Sequence, residues 1–216
     1  MGEKGAKPFA WERPTEQARD EKRAALLRAA VKLFNERGFH ATSLDDVAAS
    51  VGVTKPVIYH YLGNKDRVLF ECVRIGLAEL QDAAAQARAL PGDGLMRLEA
   101  FLRRYAEIVM TEFGRCVIRT GDEALAPGNR AEFRTLKREV DRFLRDMVEQ
   151  AALDGSATVP DVKVSALMIA GALNWSARWY QADGALTPPE MASALVTAIL
   201  AGIGADPPVR DAPSAA

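Results

Sequence analysis

Between its glycine and proline breakers, almost every stretch of this chain repeats its apolar residues with the period of an α-helix. The breakers are Gly38, Gly52, Gly63, the 91–94 cluster, Pro127-Gly128, 155–160, Gly184, Pro188-Pro189 and Asp206-Pro207-Pro208. In residues 20–37, Leu27, Ala30, Val31 and Phe34 fall at i, i+3, i+4 and i+7. Leu44, Val47, Ala48 and Val51 repeat the pattern behind Ser43, and Asp46 three positions on completes a capping-box signature. No segment alternates for long enough to make a strand. The pattern predicts an all-α chain with helices over 20–37, 44–51, a short one after Thr54, then 65–89, 95–112, a short one near 115–125, 129–153, 161–181 and 188–203. A compact three-helix unit stands at the front and a longer helical bundle behind.

With 49% hydrophobic and 26% charged residues, a chain of 216 residues has enough apolar side chains for a core of ordinary size. Its longest apolar stretches, 166–173 and 194–205, fall short of the roughly 20 residues a membrane helix needs. The opening MGEKGAKPFAWERP has no apolar signal region, so the expected location is the cytoplasm, with no membrane partner. Cys72 and Cys116 are too few and too far apart for a disulfide framework. They are read as buried thiols. With only His40 and His60 besides, no metal-ligand spacing exists, and neither a metal nor a cofactor is expected. No Ser/His/Asp or Cys/His grouping and no phosphate-cradling glycine loop supports an enzyme.

The net charge of −1 hides an asymmetry. Residues 1–70 carry 12 Lys+Arg against 9 Asp+Glu, whereas residues 71–216 carry 16 against 20. A mildly basic head on an acidic body suits a module that binds a polyanion. The stretch 42–70, TSLDDVAASVGVTKPVIYHYLGNKDRVLF, gives that module a form. A capped helix of about two turns meets Gly52, and a second short helix follows Thr54, an expected N-cap, with Pro56 tolerated in its first turn. Two short helices sharing a glycine turn are spaced as in a helix-turn-helix, whose second helix enters a DNA major groove. At 100° per residue Ile58 and Leu62 share one face, Pro56 and His60 point away, and Val57, Tyr59 and Tyr61 lie on the flanks. No carboxylate occurs from Lys55 to Leu62. A small amphipathic helix buried on one side would show the same angles. Asn64 reads as the cap of the next helix, which puts Lys65 in a first turn where the dipole disfavours a cation unless an anion lies nearby. Alternatively Lys65 is a solvated surface lysine.

The front of the chain resembles the TetR family of one-component transcriptional regulators. The residues that carry the likeness are Ala29-Ala30 to Phe34, Gly38-Phe39, Ala41-Thr42-Ser43, Val47-Ala48, Val51-Gly52-Val53, Ile58-Tyr59, Tyr61 and Lys65, across about 50 residues. The resemblance implies an N-terminal three-helix helix-turn-helix domain over residues 19–66 and a larger helical ligand-binding and dimerisation domain over 67–205. A flexible arm over 1–18 and a disordered tail over 206–216 flank them. It implies a homodimer on a partly palindromic double-stranded operator, usually a repressor released by a small molecule. Carried over by position, Thr42 and Ser43 touch the DNA backbone, Lys55, Pro56, Val57, Tyr59 and Tyr61 face the groove or its walls, and Lys65 faces a phosphate. Pro56 and Val57 donate no side-chain hydrogen bonds, so apolar contact with thymine methyls is expected there. His60 reads equally as a DNA contact or as a solvated residue, and His40 as packing or surface. Lys4, Lys7 and Arg13 suit an arm that reaches DNA, against which Glu3, Glu12 and Glu16 weigh.

In the body, Leu167, Met168, Gly171, Trp175 and Trp179 form one stripe, and Met191, Ala194, Leu195, Ala198, Ile199 and Gly202 another. An intramolecular core would give the same stripes. By resemblance, the last two helices pair with their copies, placing Met168, Trp175, Trp179, Met191, Leu195, Ala198 and Gly202 at the dimer interface. Asn174-Trp175 to Arg178-Trp179-Tyr180, with Gly184 and Thr187-Pro188, is similar to regulators of fatty-acid, steroid and acyl-CoA catabolism, which suggests an acyl-CoA or a fatty-acid- or steroid-like effector. Inward positions on the middle helices nominate Phe101, Tyr105, Met110, Phe113, Phe143 and Met147 as pocket residues, with Arg119 as an anion clamp. The competing reading is a helical protein-interaction adaptor without effector response.

Overall fold

The computed structural model describes residues 15–204. The expected arm and tail lie largely outside those residues, including Glu3, Lys4, Lys7, Glu12 and Arg13. The described residues form helices only: α1 (Glu16–Arg37), α2 (Leu44–Ser50), α3 (Lys55–Leu62), α4 (Lys65–Arg88), α5 (Gly94–Met110), α6 (Glu112–Arg119), a 3₁₀ turn at Asp122–Ala124, α7 (Pro127–Leu153), α8 (Val162–Trp179) and α9 (Pro188–Gly204).

Most of these helices start at a residue whose side chain satisfies an otherwise orphan N–H. Thr15 accepts from the Ala18 N–H, Asn64 from Arg67, Asp93 from Met96 and Asp161 from Val164. Ser43 and Asp46 form the full reciprocal capping box of α2. Thr54 departs from expectation. Its side chain makes no cap bond, and α3 begins on the pre-set φ of Pro56 in its first turn. The α5–α6 boundary also differs from the predicted spans. Thr111 closes α5 and opens α6, its hydroxyl donating to the Ile108 carbonyl at 2.7 Å and accepting from the Gly114 N–H at 3.1 Å. The chain turns so tightly there that a Cβ on Gly114 would lie 1.9 Å from the Ile108 oxygen.

At the front, α1, α2 and α3 pack on one another, and α1 and α3 also pack on α4. They bury Leu27, Ala30, Val31 and Phe34 with Leu44, Val47, Ile58 and Leu62. Behind, α5 is the central rod, packed against α4, α6, α7, α8 and α9. Cys72 and Cys116 are both free and buried; burial pushes the Cys116 thiol up to about 11 and that of Cys72 well above its ordinary value. Among the described residues no helix is long and apolar enough to cross a membrane, and no group of residues is arranged to hold a metal ion.

Two polar ties join front to body. Asn35 of α1 donates to the Glu112 carbonyl at 2.8 Å and to its carboxylate at 2.9 Å. Arg119, at the end of α6, donates to the carbonyls of Asn35 at 2.9 Å, Ala177 at 3.2 Å and Arg178 at 3.1 Å. Those acceptors lie in the last turns of α1 and α8, where carbonyls lack helical partners and a cation is favoured.

Candidate nucleic-acid interface and ligand cavity

The turn between α2 and α3 depends on Gly52, whose φ of +67° lies in the left-handed region that favours glycine. The Val53 N–H bonds back to the Ala48 carbonyl at 3.0 Å and fixes the reversal. From there α3 is held by two side chains, Ile58 and Leu62, exposed by only 0% and 2%. Its other face is open: Lys55, Pro56, Tyr59 and His60 are exposed, and Val57 and Tyr61 are half-buried. A short rod with one apolar seam and no acid on it is free to approach phosphates and base edges.

The surrounding cations are positioned by neighbours. Lys55 pairs with Asp45 at 2.8 Å and lies 5.7 Å from the Tyr59 ring centroid; the Asp45 carboxylate holds the ammonium above its usual pKa. Water screens an exposed pair of this kind, so a phosphate can replace Asp45 at little cost. Lys65 sits 4.2 Å over the Phe39 ring and 3.4 Å from the His40 carbonyl. Burial lowers its pKa, and the Asp46 carboxylate opposes that shift. Lys22 of α1 lies 5.2 Å from the Tyr61 ring centroid, a flanking cation that no local motif signals. His60 packs edge-on against Tyr61 while remaining exposed.

Two of the expected backbone contacts look different in three dimensions. Thr42 is 1% exposed, and its hydroxyl donates to the Gly38 carbonyl at 2.9 Å. It closes the α1–α2 loop, and its side chain has no path to a phosphate. Ser43 is exposed, but its hydroxyl is engaged with the Asp46 carboxylate at 2.6 Å within the capping box. Hydrogen bonding to Ser43 holds the Asp46 carboxyl below its ordinary value.

In the body a chamber of about 350 Å³ lies between α4, α5, α6, α7 and α8. Its apolar walls are Leu77, Leu80, Val117, Ile118, Val140, Leu144, Leu167 and Ala170, and its polar members are Tyr105, Asn174, Lys137, Arg138 and Asp141. Of the seven nominated pocket residues only Tyr105 lines it. The Tyr105 hydroxyl donates to Asn174 Oδ1 at 3.1 Å, and burial pushes its pKa up to about 12. Phe101, Met110 and Met147 are buried core. Phe113 packs where α6 crosses Gly76 of α4, and Phe143 lies 4.6 Å beneath the Arg88 guanidinium. Arg119 borders a neighbouring cleft of about 920 Å³, but its guanidinium is committed to three carbonyls and is no free anion clamp. The spacings Leu167/Ala170/Asn174 and Lys137/Val140/Asp141/Leu144 each mark one helix face. That periodicity was the signal for the chamber, and large inward aromatics were not.

On α8, Met168, Trp175 and Trp179 are exposed together with Val164 and Leu167, Trp175 by 63%. On α9, Ala198 and Gly202 are exposed, and Met191 and Leu195 are half-buried.

Residues 26–72 match the model of bacterial regulatory proteins, tetR family. Residues 91–203 match that of the tetracyclin repressor-like C-terminal domain. The chain belongs to the TetR family. As a TetR-family protein it is a ligand-responsive, DNA-binding regulator and not an enzyme. It is 26% identical over 195 residues to the HTH-type transcriptional repressor KstR2 of Mycolicibacterium smegmatis, covering 84% of this chain and 90% of that one. The TetR-family regulator PfmR of Thermus thermophilus superposes with a TM-score of 0.74 at 29% identity, over 81% of this chain and 96% of PfmR. AibR, solved in complex with isovaleryl coenzyme A and operator DNA, superposes with a TM-score of 0.72 at 25% identity, over 83% and 98%.

Proposed function

We propose that the protein is a homodimeric repressor that leaves its operator when a small apolar or acyl-type effector enters the body. Residues 19–66 act as the reading head and residues 67–205 as the effector-binding and dimerisation domain. The observation that carries this reading is the open face of α3: Lys55, Pro56, Tyr59 and His60 stand clear of the core, Val57 and Tyr61 are half-exposed beside them, and Ile58 and Leu62 hold the helix down. Lys65 and Ser43 flank that face. Val57 offers a methyl surface to thymine, and Lys65 offers charge to a phosphate.

A contiguous exposed apolar surface marks an interaction site in a protein of this size. Met168, Trp175 and Trp179 of α8 and Ala198 and Gly202 of α9 are exposed, with Met191 and Leu195 half-buried, and in the proposed dimer a second copy covers them. The pair of α3 helices then reads half-sites about 34–36 Å apart. Helix α4 connects the parts. Lys65 lies in its first turn and Leu77 in the chamber wall, 12 residues or about 18 Å along one rod. An effector that binds better to one setting of that rod shifts the population of reading-head spacings. DNA and effector then weaken each other's binding by the same factor. The effector class draws support from AibR, which was solved with isovaleryl coenzyme A, and the repressor reading from KstR2, which is named a repressor.

Selection of duplexes from a random library by the full chain, followed by affinity measurement over a salt series, tests the reading. The affinity for the selected duplex falls steeply with salt as counterions are released. Lys65→Ala weakens binding to all sequences alike, whereas Val57→Ser changes the preferred sequence. Failure to enrich any duplex at low salt, as expected of an adaptor, refutes the proposal.

A further inference from the structure

We infer that Asp45 and Lys55 act as a couple that reads one G·C base pair in each half-site, the ammonium over guanine and the carboxylate over cytosine. The inference rests on the DNA-reading role of α3 and assigns part of its sequence preference. Lys55 is the first residue of α3, the end of a recognition helix that reaches base edges, and Asp45 lies in the first turn of α2. The Lys55 Nζ is held on two sides, 2.8 Å from Asp45 Oδ2 and 5.7 Å from the centroid of the Tyr59 ring, while its side chain stays 65% exposed. Asp45 has no share in the capping box, which Ser43 and Asp46 complete by themselves.

A cation and an acceptor one hydrogen bond apart are the complement of what a G·C pair displays in the major groove. There guanine O6, an acceptor, faces the N4 amino donor of cytosine across a Watson–Crick bond of about 2.9 Å. An ammonium set over O6 also reaches N7, and the carboxylate accepts the free N4 hydrogen. An A·T pair offers thymine O4 beside the adenine N6 amino group, but there the ammonium meets the thymine methyl and the carboxylate lies against adenine N7, acceptor against acceptor. Reversal to C·G sets the ammonium against the amino group. On each of these the couple has to part. Lys55 then turns to a phosphate, which leaves Asp45 as an unpaired anion on a polyanion, and that repulsion penalises every sequence but the matching one. The dipole of α2 also favours an acid in its first turn, a role that affects stability and leaves sequence preference unchanged.

Affinities of the full chain for every single base-pair change in the half-site selected from a random library test the couple. One position prefers G·C over A·T and over the reversed pair by about tenfold or more. Asp45→Ala and Lys55→Met each cut that preference below about threefold and leave the other positions as they were, and the double variant goes no further than either single one. Circular dichroism checks folding; should Asp45→Ala unfold, Asp45→Asn keeps a polar side chain at the helix start and lowers the preference at the same position. An Asp45 variant that changes the affinity for all duplexes by one factor, as loss of a screening charge or of a helix-end contact does, overturns the inference. So do the two variants altering different positions, or a half-site with no G·C preference that either variant changes. In each of these cases the regulator reading stands; if the wild-type chain enriches no duplex, that reading fails as well.

Discussion

Replacing Arg119 by Met removes the guanidinium that ties α6 to the ends of α1 and α8 and keeps most of the side chain's volume. Three carbonyl acceptors are lost at once, those of Asn35, Ala177 and Arg178. A hydrogen bond to a charged group contributes about 1.5–3 kcal/mol when well enclosed. Arg119 is only partly buried and its freed carbonyls can take up water, so the sum is reduced to about 2 kcal/mol. At about 2–4 °C per kcal/mol for a chain of this length, the expected fall in Tm is about 4–8 °C. Scanning calorimetry at one fixed protein concentration is the assay, because dimerisation makes Tm depend on concentration. Arg119→Lys keeps a cation near both helix ends but cannot span three acceptors, and it falls between wild type and the Met variant. A second readout concerns the joint between front and body: if the proposed release holds, the factor by which an effector weakens operator binding shrinks in Arg119→Met. A Tm within 1 °C of wild type refutes the reasoning, since the three bonds would then add nothing to the folded state.

Gly114→Ala places a Cβ 1.9 Å from the Ile108 carbonyl oxygen and should cost about 3 kcal/mol in chemical denaturation. Gly128→Ala, with open space around its Cβ, is the control and should be neutral or slightly stabilising; equal losses would contradict the contact argument. Trp175→Glu puts a carboxylate in the proposed dimer face, where sedimentation velocity should show a shift to monomer with helicity unchanged; a persistent dimer moves the interface elsewhere. The Asp46 carboxyl is held below 3.8 by Ser43, so its contribution to stability is complete above pH 3.8 and is lost as pH falls through the lower folded midpoint. An NMR titration of Asp46 with a midpoint at or above 3.8 would contradict this.

What the sequence disclosed was local. The capping box at Ser43 and Asp46, the turn at Gly52 and the Ile58/Leu62 seam all depend on residues within a few positions of each other, and the helices around them were legible for that reason. Thr42 was misplaced because its environment is set by the end of α1, where the Gly38 carbonyl takes its hydroxyl. Thr54 has the right chemistry for a cap, but Pro56 already sets the start of α3. The chamber was hidden by a different cause. Large inward aromatics such as Phe101 fill space, so they mark where a cavity is absent, whereas smaller side chains such as Val117 and Ala170 leave one. On α9 the stripe Met191, Ala194, Leu195, Ala198, Ile199 and Gly202 is exposed or half-buried throughout, and the buried face runs beside it through Ala192 and Val196. Small apolar residues on every side give no period by which one sequence can tell core from partner.

The ties between front and body indicate why the same helices can carry both chamber and reading head. Helix α7 starts at Pro127 without a side-chain cap of its own, and Asp66 in the first turn of α4 supplies the missing acceptor. It takes the Ala126 N–H at 2.6 Å and the Asn129 amide at 2.5 Å. One residue earlier on the same turn is Lys65, and further along α7 are Val140 and Leu144 of the chamber wall. On the opposite side α6 brings Val117 and Ile118 to the chamber and ends in the Arg119 tie to α1. Each wall is thus bolted by hydrogen bonds to an element that abuts the head. Exposed termini would fray independently, but ends satisfied by another helix's side chain must move with it or leave a polar group unpaired. In the proposed mechanism, displacement at the chamber is therefore transmitted rather than absorbed. Asp66 ties α7 to α4 and Arg119 ties α6 to α1, so under that mechanism a ligand that moves α6 and α7 unequally would rotate the head as well as shift it.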